Sequence, residues 1–383
     1  MKVSGDWLDN PATQDLCAAI AAGGYRVLFV GGCVRNALLG VPVGDTDLAT
    51  DALPETVSDL AKRAGFKVVP TGVDHGTVTV IAGGTPHEVT TFRRDVETDG
   101  RRAVVAFSGE VAEDAARRDF TMNALYAEAD GTVIDPLGGL PDLLARRVRF
   151  VGDAPQRIAE DYLRILRFFR FHAHYGDPAQ GIDAEGLAAC AELAGGLDNL
   201  SAERIGAEVK KLLAAPDPAP AVAAMTQAGI LHHILPGADP RALAPLIHLE
   251  NGLPTRWQRR LAVLGGTRGH LRLSRAETGT VQHICDEIGG VRTPAALGHL
   301  YGVETADDVV LARAAVLESP LPPDWQAEVA RGAETTFPVR AADLEPLSGL
   351  ALGRRLRALK DHWLAADLAP DRATLLALPH AGG

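Results

Sequence analysis

Hydrophobic positions along the first 140 residues repeat with two different periods, which indicates a region that mixes strands and helices. Short runs rich in Val, Thr and Phe predict strands, and they read RVLFV, TDLAT, FKVV, HGTVTVIA and HEVTTF. Helical patterns lie between them, over residues 31–39, 54–64 and 113–118. This region is therefore predicted to be an α/β or α+β domain.

After residue 136 the strand patterns nearly vanish. A period near 3.6 residues predicts helices over residues 153–173, 183–194, 201–214 and 220–229. The segment PDPAP at 216–220 predicts a break between helical parts. Because 383 residues exceed what one hydrophobic core usually holds, we expect several domains. The chain as a whole is predicted to be α+β, with a mixed head followed by an elongated all-helical remainder.

Composition changes this picture little. No apolar run approaches the roughly 20 residues that span a bilayer, and the chain starts with a polar, acidic segment and not a signal peptide. We therefore expect a cytoplasmic protein with no membrane partner. The net charge of −11 argues by itself against a nucleic-acid partner, but a local patch can outweigh it. Arginines cluster at residues 146–170, 256–260, 268–275 and 354–357.

The segment LFVGGCVRNALLG, residues 28–40, runs from a predicted strand through two glycines into a predicted helix. Gly31 and Gly32 let the backbone approach a ligand closely, and the start of the helix offers N–H groups to an anion. Arg35 lies one turn further on, where it is placed to contact phosphate oxygens. A Gly-Gly pair by itself more often marks only a tight turn.

Two carboxylates follow in GDTDLAT. In a strand, Asp45 and Asp47 share one face, and they repel each other unless a cation lies between them. Mg²⁺ suits such a site, and two metal ions would activate a 3′-hydroxyl and stabilise the leaving pyrophosphate. The alternative is an exposed strand end, where Asp-x-Asp is common. A glycine turn followed by such a pair of aspartates is the order of motifs typical of polymerase-β-like nucleotidyltransferases.

That superfamily usually has a third carboxylate on a later strand. Glu88 in HEVTTFR is the best candidate, and a salt-bridged structural glutamate is the alternative. In ARRDFTMNALY, Arg117 and Arg118 are candidates to hold phosphates, while Asp119 and Asn123 are candidates to hold ribose hydroxyls. A capped, salt-bridged helix start is the simpler interpretation of that segment.

Residues 153–173 are predicted to form one long amphipathic helix with arginines at 164, 167 and 170. Asp161 and Arg164 are three residues apart and would share a helix face, either as a surface ion pair or as a base-recognition pair. A carboxylate accepts from the exocyclic amine of C or A, and an arginine donates to ring acceptors. Such a pair would accept cytosine and adenine and reject guanine and uracil. Arg167 is counted with them as a candidate nucleotide ligand.

Together these segments resemble the class II CCA-adding enzymes and their relatives, the bacterial poly(A) polymerases. The motifs that carry the resemblance are GGCVRN, DTD, RRDFTMNA and EDYLR. The resemblance implies a polymerase-β-like head over residues 1–140, a neck for base recognition over 141–215, a body over 216–300 and a tRNA-binding tail over 301–383. It also implies a flexible loop near residues 93–106.

By this resemblance, the chain adds C, C and A to the 3′ acceptor end of tRNA from CTP and ATP with Mg²⁺, and it has no DNA partner. One departure is Asn36, where the family usually has an acid. The segment DHGTVTV at 74–80, where poly(A) polymerases typically carry a GRRF-type sequence, favours CCA addition. Poly(A) synthesis, addition of CC or A alone, and a catalytically silent RNA-binding protein remain the alternatives.

Overall fold

A mixed sheet dominates the N-terminal region of the computed structural model. The structure describes residues 1–70, 72, 76–99 and 102–379, and of residues 95–99 and 102–105 only the backbone. The described strands are β1 (Val27–Val30), β2 (Leu48–Thr50), β3 (Lys67–Val69), β4 (Thr77–Ala82), β5 (Thr85–Thr91), β6 (Arg93–Asp99), β7 (Arg102–Phe107), β8 (Tyr126–Ala127) and β9 (Val133–Ile134). Seven of them form one sheet in the order β3-β4-β5-β2-β1-β8-β9. Strands β2 and β5 are parallel and the other neighbours antiparallel.

Six helices accompany these strands in the described part of the head, and they are α1 (Asp6–Asp9), α2 (Pro11–Ala22), α3 (Gly32–Leu39), α4 (Pro54–Arg63), α5 (Val111–Ala116) and α6 (Leu140–Leu144). All four residues of β1 are buried, as expected for a strand at the centre of a sheet. Side chains of β1, β2 and β8 share a core with Phe92, which follows β5. The α+β fold and the mixed sheet are confirmed.

Beyond residue 150, the elements are helices α7 (Ala154–Glu160), α8 (Leu163–Tyr175), α9 (Ala184–Glu192), α10 (Ala202–Leu213), α11 (Ala219–Gln227), α12 (Ile230–Ile234), α13 (Leu243–Leu249), α14 (Trp257–Leu264), α15 (Arg275–Ile288), α16 (Pro294–Val316), α17 (Trp325–Glu334), α18 (Gly349–Ala365) and α19 (Arg372–Ala377). Helix α16 contains a kink at Gly302, where φ is 75°. Within the described residues, none of the helices has both the length and the apolar character needed to cross a membrane.

The prediction of a single helix over residues 153–173 is wrong, because two helices occupy this range. Helix α7 ends at Glu160, and Asp161 has an extended backbone, with φ −156° and ψ 103°. The Asp161 carboxylate accepts a hydrogen bond from the N–H of Leu163 at 3.1 Å. This local bond competes with the helical pattern, and α8 starts afresh at Leu163.

The loop expected near residues 93–106 is an antiparallel pair of strands, β6 and β7, with an irregular register at Asp95 and Glu97. Residues 100 and 101 lie outside the described residues. The same is true of residues 71 and 73–75, so Asp74 and His75 of the DHGTVTV segment are not described.

The chain divides into two compact units. The first comprises residues 1–201 and 224–233, and the second comprises residues 202–223 and 234–383. The core of the second unit includes Trp363 and Leu359 of α18, packed with Ala295 and Ala296 of α16. The division into head, neck, body and tail stays a prediction.

Candidate active site

Asp45 and Asp47 belong to a segment, residues 41–47, that contains no helix or strand and leads into β2. The expectation that both lie within the strand is therefore wrong, because the ladder starts only at Leu48. The backbone is nevertheless held against the sheet, since the N–H of Val30 donates to the Asp47 carbonyl at 3.0 Å. Thr46 and Leu48 are buried while Asp45 is exposed, so the alternation of faces is as predicted.

Glu88 lies beside this pair. Strands β2 and β5 are parallel with Leu48 opposite Val89, so Asp47 and Glu88 occupy the adjacent positions that precede them. Burial raises the pKa of Asp47, and the nearby charges of Glu88 and Asp45 raise it further, to about 6, although Arg118 acts in the opposite direction. The three carboxylates therefore interact at one edge of the sheet.

A divalent cation fits this edge. The like charges that raise the pKa of Asp47 are relieved by a metal ion between them, and carboxylate oxygens are the ligands that Mg²⁺ prefers. The described residues contain no ready-made group of three His, Cys, Asp or Glu side chains around a single point. Of such a coordination shell the protein would supply the pair Asp45 and Asp47, and phosphate and water oxygens would complete it.

The glycine turn stands next to the aspartates, between β1 and α3, as predicted. Gly31 is the residue that precedes α3 and has φ 70°, a conformation that favours glycine. A Cβ atom at Gly31 would lie 3.2 Å from Nη1 of Arg118. Glycine is thus required here both by the turn and by the close approach of an arginine.

Arg35 is buried, with 7% of its surface exposed. Its guanidinium donates to Oδ1 of Asn123 at 2.6 Å and to the hydroxyl of Tyr175 at 2.8 Å, and it lies 4.1 Å from the centre of the Tyr175 ring. Burial lowers its pKa. Arg35 therefore connects α3 to α8, and its predicted contact with phosphate stays a prediction.

Asn36 completes the surroundings of Arg35. Its Oδ1 accepts from Nε of Arg35 at 3.1 Å and from Nη2 at 2.8 Å, and its Nδ2 donates to the carbonyl of Pro42 at 2.9 Å. A carboxylate at position 36 would offer the first two bonds but not the third. The amide thus joins Arg35 to the segment that carries the aspartates.

Arg118 is held by two residues that the sequence reasoning missed. It donates to Asp114 at 3.1 Å and to the hydroxyl of Tyr126 at 3.0 Å, and that hydroxyl donates to Asp114 at 2.7 Å. The i, i+4 spacing of Asp114 and Arg118 was a usable signal for this pair. Arg117 is half-buried, and its carbonyl accepts a hydrogen bond from Arg157.

Asp119 and Asn123 form a network instead of facing solvent. Asn123 donates to Asp119 at 2.9 Å, and Arg167 of α8 forms an ion pair with the same carboxylate. Burial alone would raise the pKa of Asp119, but Arg167 and the hydrogen bonds hold it below its usual value. Since Asn123 also accepts from Arg35, the chain Arg35–Asn123–Asp119–Arg167 ties α3 to α8.

Arg164 of α8 pairs with Glu160 and donates to the carbonyl of Arg157 at 2.6 Å. Asp161 lies in the break between α7 and α8, so the expectation that Asp161 and Arg164 share one helix face is wrong. The structure still places both residues within the first unit, along with the carboxylates and the glycine turn. Their role in base recognition stays a prediction.

Comparison with known proteins agrees with this arrangement. Residues 27–149 match the family described as "Poly A polymerase head domain", and residues 181–241 match "Probable RNA and SrmB- binding site of polymerase A". The chain is 44% identical over 201 residues to the CCA tRNA nucleotidyltransferase 1, mitochondrial, of Mus musculus. That alignment covers 52% of this chain and 46% of the relative. It is 42% identical over 216 residues to the CCA-adding enzyme of Geobacillus thermodenitrificans, with 56% and 52% covered.

The matches thus span about half the length of these curated relatives. A solved structure extends the similarity, because the Bacillus stearothermophilus CCA-adding enzyme in complex with CTP superposes with a TM-score of 0.73 at 28% identity, covering 98% of this chain and 97% of that one. The mixed sheet, the glycine turn, the paired aspartates and these likenesses together lead to one conclusion: residues 27–149 match the head domain of poly(A) polymerases, and the chain as a whole is similar to the class II CCA-adding enzymes.

Proposed function

We propose that this chain is a template-independent RNA nucleotidyltransferase that adds C, C and A to the 3′ end of tRNA from CTP and ATP. The observation that carries the proposal is the cluster of Asp45, Asp47 and Glu88 beside the glycine turn, whose mutual repulsion calls for a cation. The likeness to CCA-adding enzymes supports the substrate class.

Asp45 and Asp47 hold Mg²⁺ in this proposal, and Glu88 is the third carboxylate. The metal, when bound, makes the terminal 3′-hydroxyl of the RNA more acidic and neutralises the charge of the triphosphate. The 3′-oxygen forms a bond to the α-phosphorus, the bond to pyrophosphate breaks, and the hydroxyl proton is released. The paired aspartates thus define where the reacting phosphate lies.

The residues around the turn position the nucleotide. Gly31 and Gly32 keep the backbone close to the triphosphate at the start of α3, where N–H groups attract an anion. Arg118 lies against this turn, and with Arg117 it supplies positive charge. Arg35 acts mainly through its bonds to α8, because its guanidinium is enclosed by protein acceptors.

Base choice falls to the region where α7 ends and α8 begins. Asp161 would accept from the exocyclic amine that cytosine and adenine share, and Arg164 would donate to their ring acceptors. Glu160 orients Arg164 through their ion pair, and the Arg167–Asp119 pair fixes α8. Guanine and uracil present the opposite pattern and would be rejected.

The experiment that tests this proposal offers tRNA transcripts that end before the first C, after C, and after CC, each with Mg²⁺ and a single nucleotide. We expect C to be added to the first two transcripts and A only to the third, with products read by length on a gel. Asp45→Ala is expected to abolish incorporation of both nucleotides while RNA affinity stays near that of the unaltered chain.

Other products would point to the alternatives. Long A tails would indicate a poly(A) polymerase. Addition of C to the first two transcripts with no addition of A to the third would indicate an enzyme for CC only, and growth on the third transcript alone would indicate an enzyme for A only. A chain that binds RNA but incorporates no nucleotide at any Mg²⁺ concentration would be a silent RNA-binding protein, and the proposal would fail.

A further inference from the structure

One buried histidine lies behind the paired aspartates. His87, on β5, is 2% exposed, and the proposed chemistry does not use it. Its Nδ1 lies 3.2 Å from the carbonyl oxygen of Thr46, and its Nε2 lies 3.2 Å from the hydroxyl of Thr13 on α2. The imidazole therefore bridges a head helix and the residue between Asp45 and Asp47.

The Thr46 carbonyl determines that Nδ1 of the ring carries a hydrogen. A carbonyl oxygen can only accept, so Nδ1 of His87 carries the hydrogen and donates to Thr46. In the neutral ring Nε2 then accepts from the Thr13 hydroxyl. Thr13 is itself buried, at 2% exposure. Both polar ends of this imidazole are thus satisfied, and its orientation is set.

The hydrogen bond from His87 to Thr46, called the clamp below, acts on a segment that has no regular secondary structure. Residues 41–47 belong to no helix or strand, so their position depends on individual bonds. Asn36 holds Pro42 at one end, and Val30 holds Asp47 at the other. The bond from His87 to Thr46 falls between the two carboxylates. His87 and Glu88 are consecutive on β5, so one dipeptide supplies a clamp behind the aspartates and a carboxylate beside them.

From this geometry we infer that His87 is a positioning residue for the metal-binding pair. By fixing the carbonyl of Thr46, it sets the separation at which Asp45 and Asp47 present their oxygens to a divalent cation. Groups that orient metal ligands in this way typically change metal affinity by about 10–100-fold when they are removed. The inference rests on the proposed function, because it assumes that the aspartates bind a metal.

The test measures metal binding without catalysis. Mn²⁺ is titrated into the full chain, without RNA or nucleotide, and free Mn²⁺ is followed by electron paramagnetic resonance. His87→Asn keeps an N–H donor at the Nδ1 position, whereas His87→Gln moves the amide toward the Nε2 position, and both remain polar. We expect a dissociation constant within a few-fold of the unaltered chain for H87N and about 10-fold or more above it for H87Q.

Thr91→Val is the matched control. The Thr91 hydroxyl, buried on the same strand, donates to the carbonyl of Ala52 at 2.7 Å, beyond the other end of β2. Removing that bond should lower the stability of the fold, as the loss of the buried His87 hydrogen bond would, but it should leave Mn²⁺ affinity unchanged. Equal affinities for H87N and H87Q, or a loss in T91V that matches H87Q, would overturn the inference.

The two failures can be told apart. If the unaltered chain and Asp45→Ala bind Mn²⁺ equally, the metal site itself is absent, and the proposed function fails together with the inference. If Asp45→Ala loses the metal but H87Q keeps it, only the role of His87 is overturned. Circular dichroism of each variant shows that the binding data come from folded protein.

Discussion

At the scale of single residues, the candidate site is a place where like charges are held together by the fold. Burial removes water from the Asp47 carboxylate, and the charges of Glu88 and Asp45 lie nearby. Both effects raise the pKa of Asp47 to about 6 from an ordinary value of 3.8. Arg118 offsets only part of this repulsion. In the free protein, this repulsion is an unfavourable free energy at the candidate site that a bound cation would relieve.

This cost predicts how stability changes with pH. A carboxyl group whose pKa is raised by folding favours the folded state below about pH 4, and that contribution is lost as pH rises through about 6. Asp47→Asn removes the titration, so the variant should be more stable than the unaltered chain at pH 8 by about 1–2 kcal/mol, allowing for partial exposure. Near pH 4 the two should be equally stable.

Thermal unfolding followed by circular dichroism, without divalent metal, checks this expectation at both pH values. Adding Mg²⁺ at pH 8 should raise the melting temperature of the unaltered chain and not that of D47N. The same variant should not transfer nucleotides. A melting temperature for D47N below that of the unaltered chain at pH 8 would show that Asp47 is not strained.

At the scale of elements, the break between α7 and α8 is set partly by a contact from elsewhere in the first unit. Gly196 lies in a short 3₁₀ turn, Ala194–Asn199, and a Cβ atom there would come 1.9 Å from the ring of Tyr162, the residue between Asp161 and α8. The neighbouring Gly195 has open space. Packing against Tyr162 therefore holds the proposed base-recognition segment.

Gly196→Ala should displace Tyr162 and lower the free energy of unfolding by about 1–3 kcal/mol. Because Tyr162 adjoins Asp161, we also expect the ratio of kcat/KM for CTP and ATP to change. Gly195→Ala is the control, with one added methyl group and no neighbour to displace. Similar effects of the two substitutions on stability and on nucleotide preference would remove Tyr162 from base recognition.

The elements also show what the sequence could predict. Strands β1, β4 and β5, the glycine turn and the paired aspartates were predictable because their signals lie within a few consecutive residues. The break at Asp161 was not, because the apolar period continues across it. Strand β6, with the sequence RRDVETD, carries no alternating apolar pattern and forms through pairing with β7.

The site followed the same rule. Its local motifs were predictable, whereas the Arg35–Asn123–Asp119–Arg167 network joins segments far apart along the chain, and only the fold brings them together. Arg35 was expected to face phosphate because its spacing from the glycines permits it. The aromatic ring and hydroxyl of Tyr175, which enclose it, leave no local signal near position 35.

At the scale of the whole molecule, a chain with net charge −11 would hold tRNA, its proposed partner, through local surfaces. The structure sorts the arginine clusters of the sequence. Arg259 and Arg260 are internal, paired with the buried carboxylates of Glu250 and Asp308. Removing one partner of such a buried group would leave an uncompensated charge, so this cluster belongs to the interior of the second unit and is not a basic surface.

Helix α18 is a better candidate surface for the proposed RNA partner. Arg355 is buried and donates to the carbonyls of Leu378 and Pro379, so it belongs to the fold of this unit. Arg354 and Arg357, three residues apart, are exposed and share a helix face. Two cations on one exposed face concentrate positive charge where a phosphate backbone can be held.

Arg357→Glu should therefore weaken tRNA binding several-fold and make it less sensitive to salt, with the slope of log affinity against log salt concentration reduced by about 1. Affinity for CTP alone should not change, because Arg357 belongs to the second unit and the candidate nucleotide-binding residues belong to the first. Arg241→Glu makes the same charge change at an exposed side chain of the same unit, one already paired with Asp239, and it should alter tRNA affinity less. Filter binding at several salt concentrations measures both slopes, and equal effects of the two variants would assign the change to overall charge and not to α18.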